Sequence, residues 1–236
     1  PLRLNNFAYA LRELIRHVLV RLAPDDVVLN CQWYENEVQG KKRGVSRRQR
    51  VLYAVQGGLS DSFVEQTLCV DIATTHTKLR DAIDRLSKYT HIQPEVFNVE
   101  GAEVGEMARE VLSAVSDLFE LIAKSRDQLI RAYEEQLDQA VIDAAIYETI
   151  LEVDEICTHH TIEEVYTDTF EVAAIGTDYV TYVASGTITC ELQWGSNGDM
   201  ARGDGIQMQQ AFPFTCTLRS PIEDPSEIES VESSLV

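Results

Sequence analysis

The chain has 236 residues, 44% hydrophobic and 25% charged, an ordinary soluble globular composition with room for one large or two small domains. No apolar run approaches the roughly 20 residues needed to cross a bilayer, so no membrane partner is expected. The net charge of −19 is uneven: residues 1–50 hold 10 Lys and Arg against 5 Asp and Glu, 51–160 hold 8 against 21, and 161–236 hold 2 against 13. Whole-molecule charge therefore opposes nonspecific nucleic-acid binding, and any polyanion site is expected near the basic N-terminal part.

Asn5 and Asn6 are candidate caps for a first helix, in which Phe7, Leu11, Leu14, Ile15, Val18, Leu19 and Leu22 recur at helical spacing until Pro24 stops the pattern. This opening segment, amphipathic and with four arginines, does not read as a signal peptide; a start at Pro1 rather than Met leaves residues upstream expected. Residues 25–44 look irregular, with Cys31, Trp33 and Tyr34 tucked onto the core and Gln39–Val45 an exposed basic loop. Ser46 and Gln49 form a capping-box pattern for a helix ended by Gly57-Gly58. Asp61 is placed to cap a short helix, and residues 72–89 form another, with Pro94 after it.

From Glu103 to about Ile156 an apolar stripe (Met107, Val111, Val115, Leu118, Ile122, Leu129, Tyr133, Leu137, Val141, Ala144) predicts helix throughout. One helix of that span would be roughly 75 Å long, so a break is expected between Lys124 and Asp143, and the stripe is a candidate oligomer seam. Beyond His159 the pattern changes to strands: Thr161–Ile175, then an alternating Tyr179–Trp194 after a Gly176-Thr177-Asp178 turn, a Gly195–Gly205 loop, and Ile206–Leu218 interrupted by Pro213. The expectation is α+β: a helical domain at 1–158, a small antiparallel β-meander at 159–220 and a mobile acidic tail at 221–236.

Five separated cysteines with no Cys-x-x-Cys read as buried, reduced thiols of a cytoplasmic protein rather than a disulfide framework or zinc site. The chemical candidates start with Arg85 and His91, six residues apart where a helix ends. A guanidinium can hold a phosphate and an imidazole can move a proton at neutral pH. On a regular helix the two point about 120° apart, so they converge only if the helix stops between them. Arg12 and His17 form a second, mid-helix pair, and about one such match arises by chance in this composition. Lys41, Lys42, Arg43, Arg47, Arg48 and Arg50 form a basic cluster, read as a phosphate-backbone contact or as a solvated loop. His159 and His160 with Asp154, Glu155 and Glu163 lack helical metal-ligand spacing, and Asp199, Arg202 and Asp204 suit an ordinary turn. No metal and no cofactor are expected, and no P-loop, Gly-x-Gly-x-x-Gly, Gly-x-Ser-x-Gly or His-Glu-x-x-His occurs.

Phe7–His17, Ser46–Arg50, Gln56–Ser60, Lys88–Ile92, Leu192–Ser196, Arg202–Gly205 and Phe212–Phe214 together resemble a bacterial family of predicted PIWI-associating nucleases found in conflict and defence gene neighbourhoods. The helical half also resembles a HEPN domain, whose active members are often metal-independent RNases carrying Arg-x(4–6)-His and acting as dimers. Arg85 and His91 match that motif; Leu86 departs from the polar residue usual after the arginine. The resemblance implies a homodimer that cleaves nucleic acid, RNA over DNA, with His91 as acid or base, Arg85 stabilising the phosphorane and the basic cluster drawing in the strand. A second reading is a non-catalytic dimeric scaffold or sensor that binds a partner protein of a defence operon, and a third, nucleotide-ligand sensing, would need a pocket between the domains.

Overall fold

A computed structural model of the chain describes residues 3–90, 101–153 and 155–235. Helix comes first and sheet last, as expected for α+β: α1 (Arg3–Leu22), α2 (Asp25–Val28), α3 (Arg47–Gln56), α4 (Asp61–Gln66), α5 (Ile72–Thr90), α6 (Gly101–Ala132), α7 (Glu134–Val153), β1 (His159–Ile175), β2 (Tyr179–Trp194), α8 (Asn197–Arg202), β3 (Ile206–Pro221) and β4 (Glu229–Leu235). The chain divides into two compact units, 1–128 and 129–236.

In unit 1 the apolar stripe of α1 buries Ile15 and Leu19, which form a core with Val51, Val55, Leu79, Ile83 and Leu86 of α3 and α5. Burying each such side chain contributes about 1.5–3 kcal/mol. Asn5 is not a cap for α1. It lies inside the helix, is buried, and donates through Nδ2 to the Tyr89 carbonyl at 2.7 Å. It therefore satisfies one of the free carbonyls at the end of α5, and α1 runs antiparallel to α5.

The Ser46–Gln49 capping box opens α3, with reciprocal bonds of 2.9 and 3.1 Å. Gly57 closes the helix at φ +57°, and its carbonyl accepts from the Trp33 indole at 2.8 Å. Ser60 rather than Asp61 caps α4. Two ion pairs, Lys78–Asp117 at 2.9 Å and Arg85–Glu110, tie α5 to α6.

The expected break in the long helix is at Tyr133, between α6 and α7. Unit 2 begins at Leu129, not near His159, because α7 packs on the sheet and buries Leu137, Val141 and Ala145 there. The sheet is an antiparallel meander of four strands, β1-β2-β3-β4. The fourth lies in the segment expected to be a mobile tail. Its Leu235 pairs with Phe214 and its Glu229 with Arg219, which it also meets as an ion pair at 2.6 Å. Pro213, which has no N–H to donate, sits one position beyond the reach of β4.

The alternation expected for β2 holds: Val180, Tyr182, Ala184, Ile188, Cys190 and Leu192 are all buried. Burial pushes the Tyr182 phenol up to about 12, so it stays neutral and acts as core. Edge strand β1 is blunted by three register shifts and by Glu163, Glu164, Asp168 and Glu171.

Gly186 is required where it stands. A Cβ there would collide with the Tyr166 carbonyl and lie 2.7 Å from the Phe214 ring. Gly186→Val is expected to lower stability by about 1–3 kcal/mol. Gly105→Ala, inside α6 with only Arg109 nearby at 3.8 Å, is expected to raise it by about 0.5–1 kcal/mol. Urea unfolding of the two variants checks both signs.

Candidate nucleic-acid interface

The basic segment before α3 is a built loop. Tyr34 Oη donates to the Gly44 carbonyl at 3.0 Å, the Gly44 N–H donates to Asn36 Oδ1 at 3.1 Å, and Asn36 Nδ2 donates to the Lys41 carbonyl at 2.9 Å. The loop leaves Lys41 and Lys42 exposed, with no ion pair among the described residues. Arg43 turns back to donate to the Leu29 carbonyl at 2.9 Å. Arg48 meets Glu37 at 2.7 Å, Arg47 stands 3.7 Å from Asp84, and Arg50 is braced by Asp25 and the Ala23 carbonyl. The six residues singled out in the sequence therefore share a region but do different things.

Two of them join a feature that the sequence analysis did not identify. Arg12 and Arg16 lie four apart on α1, and Arg47 and Arg50 three apart on α3, spacings that put each pair on one helix face. The four line a single cavity of about 440 Å³ with Glu13, Ile15, Leu19, Val20 and Ile83. Arg16 Nε donates to Glu13 at 2.8 Å, and Arg12 stands 3.7 Å from the same carboxylate. The Arg16 hydrogen bond holds the Glu13 carboxyl below its ordinary value. The signal was present in the four-residue spacing of Arg12 and Arg16, but in the sequence Arg12 stands out only beside His17.

Arg85 reaches from α5 to Glu110 on α6. Its sequence partner His91 lies outside the described residues. The second pair is split: Arg12 lines the cavity just described, while His17 lines a separate surface groove with Val18, Arg21 and Leu22. Arg16 Nη2 lies 3.4 Å from His17 Nε2, and a second imidazole shares a pocket with a guanidinium. His76 on α5 and Arg48 on α3 line one pocket of about 140 Å³, with Gln56, Asp61 and Glu65. Desolvation by burial, then the charges of Arg80, Arg48 and Arg47, lower the His76 pKa.

The remaining candidates are structural. Adjacent on β1, His159 and His160 face opposite ways; Glu155 is exposed, and Asp154 lies outside the described residues. Among the described residues no group of three or more His, Cys, Asp or Glu is placed to hold a metal ion. The Gly195–Gly205 loop contains α8, where Asp199 completes a capping box with Ser196 and pairs with Arg202. None of the five cysteines is in a disulfide; Cys31, Cys190 and Cys216 are buried, whereas Cys69 is exposed. Among the described residues no helix is long and apolar enough to cross a membrane.

Charge separates the units sharply. Residues 1–128 carry 17 Lys and Arg against 18 Asp and Glu, a net of −1; residues 129–236 carry 3 against 21, a net of −18. A polyanion is thus repelled by unit 2 and tolerated by unit 1.

Compared with known families, residues 1–115 match one family model and residues 122–236 a second, both described as predicted pPIWI-associating nuclease. No curated protein and no solved structure matches the chain.

The His76 environment has a measurable consequence. The folded chain binds a proton at His76 less readily than the unfolded chain does. Stability is therefore expected to fall as pH drops below about 6.5, the unfolded value, towards the lowered folded pKa. NMR titration should place His76 below its ordinary value, and His76→Gln should flatten the loss of urea stability across that window.

Proposed function

The chain belongs to the predicted pPIWI-associating nuclease family over both of its compact units, and from that premise we propose that it is a nuclease of a prokaryotic defence system that binds and cleaves RNA on unit 1 without a metal ion. The observation that carries this reading is the gathering of four guanidiniums around one cavity of unit 1, in a molecule whose other unit has a net charge of −18. Exposed Lys41 and Lys42, with Arg43, Arg47, Arg48 and Arg50, draw in the phosphate backbone.

Cleavage uses the ribose itself. His91 accepts the proton of a 2′-hydroxyl as that oxygen attacks the adjacent phosphorus. The 5′-oxygen then leaves with a proton, giving a 2′,3′-cyclic phosphate and a 5′-hydroxyl end. Arg85 stabilises the charge that builds on the phosphorane. One of its amino groups faces Glu110, which fixes the fork and leaves Nε and the other amino group for phosphate oxygens.

The helical unit acts as a HEPN-type domain, in a cytoplasmic homodimer that brings two Arg-His pairs together. Leu112 and Phe119, exposed seven residues apart on α6, support that seam. Unit 2 serves to dock a partner protein of the same operon. Its strong negative charge also favours a second reading, in which the chain is a non-catalytic scaffold or sensor that holds a basic partner.

Wild-type chain is expected to cleave single-stranded RNA in the presence of a chelator. His91→Ala and Arg85→Ala should each slow cleavage by about a hundredfold or more. Cleavage that needs a divalent ion, or full activity in the His91 variant, contradicts the mechanism. Absence of cleavage with intact binding of a basic partner selects the scaffold reading.

A further inference from the structure

The basic groups of unit 1 are of two kinds. Lys41 and Lys42 stand on an exposed loop, as suits contact with a backbone passing over the surface. Arg12, Arg16, Arg47 and Arg50 instead surround a concavity with an apolar floor of Ile15, Leu19 and Ile83. An internal phosphodiester needs no such hollow. Its volume, about 440 Å³, falls in the range of small-molecule sites, roughly 300–1,000 Å³, and a bare phosphate would leave most of it empty.

The ion pairs already present say which anion fits. Arg50, with a side chain only 14% exposed, is held by Asp25 and the Ala23 carbonyl, so its fork is preorganised. Arg12 and Arg47 stand 3.7 Å from Glu13 and Asp84, at the long end of ion pairing, where a closer dianion competes well. Among the described residues Glu13 is the only carboxylate that lines the cavity, with Asp84 and Asp25 pairing with Arg47 and Arg50 from outside it. A phosphomonoester carries about −1.5 to −2 charges at pH 7 and three terminal oxygens. An internal diester carries a single charge and offers two free oxygens, too few for guanidiniums on two facing helices. The apolar floor beside them suits the sugar and base of the same nucleotide.

The geometry points to a site between α1, α3 and α5 for a terminal nucleoside monophosphate, either the phosphorylated end of a strand or a free nucleotide. The inference deepens the reading above and rests on it only in assigning nucleic acid to unit 1. The strand would then be held by its end in the cavity and along its length by the exposed lysines.

The test uses the full chain and short oligonucleotides with 2′-O-methyl riboses, which lack the nucleophile and are not cleaved. Fluorescence anisotropy compares 5′-phosphorylated with 5′-hydroxyl strands, and adenosine 5′-monophosphate competes against each. The phosphorylated strand is expected to bind at least about tenfold more tightly. Arg12→Gln with Arg16→Gln, two cavity residues outside the set that meets the backbone, should erase that difference and leave 5′-hydroxyl binding nearly unchanged. Competition by the mononucleotide identifies a free nucleotide as ligand, and its failure beside a strong end preference identifies the strand end; both sustain the site. Equal affinity of wild-type chain for the two strands overturns the site while leaving RNA binding intact. Mononucleotide binding with no strand binding sustains the cavity and overturns the RNA reading.

Discussion

Coulomb repulsion from the C-terminal unit decides where a polyanion can approach this molecule. With 21 acidic residues against 3 basic ones, unit 2 repels a phosphate backbone at any ordinary salt, where screening acts over about 8–10 Å. Unit 1 is nearly neutral as a whole and still gathers four arginines around one cavity. The net charge of −19 for the chain hides this division. On the reading proposed above, the acidity of unit 2 confines binding to the N-terminal unit.

The arrangement within that unit follows from packing. Antiparallel contact of α1 with α5, tied at one end by Asn5 and Tyr89, sets Ile15 and Leu19 towards Ile83. Arg12 and Arg16 then stand on one wall of a hollow whose other wall is α3. The capping box at Ser46 fixes where α3 begins, and with it the direction of Arg47 and Arg50. Each arginine is steadied by a carboxylate or a carbonyl, so the site does not need to order flexible side chains on binding. The same bracing operates at Arg85, which Glu110 holds in place.

Local signals were legible in the sequence and tertiary ones were not. The Ser46–Gln49 box, the stop at Gly57, the break at Tyr133 and the alternation of β2 depend on neighbours in the chain, and each stands as read. Asn5 was misread because an asparagine near a helix start looks like a cap, while its partner is 84 residues away. The β4 sequence is mostly glutamate and serine, so nothing local marks it as a strand; pairing with β3 makes it one. Composition changes from helix to strand near His159, whereas the compact unit starts at Leu129 because α7 is helical yet packs with the sheet. Of the candidate site, Arg47 and Arg50 were visible as part of a basic run. Arg12 was visible only as a partner for His17, Arg16 was hidden in an amphipathic helix, and His76 had no motif to announce it. Cavities are made by elements distant in sequence, and no spacing rule within one element reports them.

Photocrosslinking tests the central claim, that unit 1 alone receives nucleic acid, most directly. Single-stranded RNA bearing 4-thiouridine would be irradiated with the full chain and the crosslinked peptides identified by mass spectrometry. The account predicts adducts in α1, in the loop before α3 and in α3, with β1–β4 free of them. Adducts concentrated on the sheet of unit 2 would contradict it.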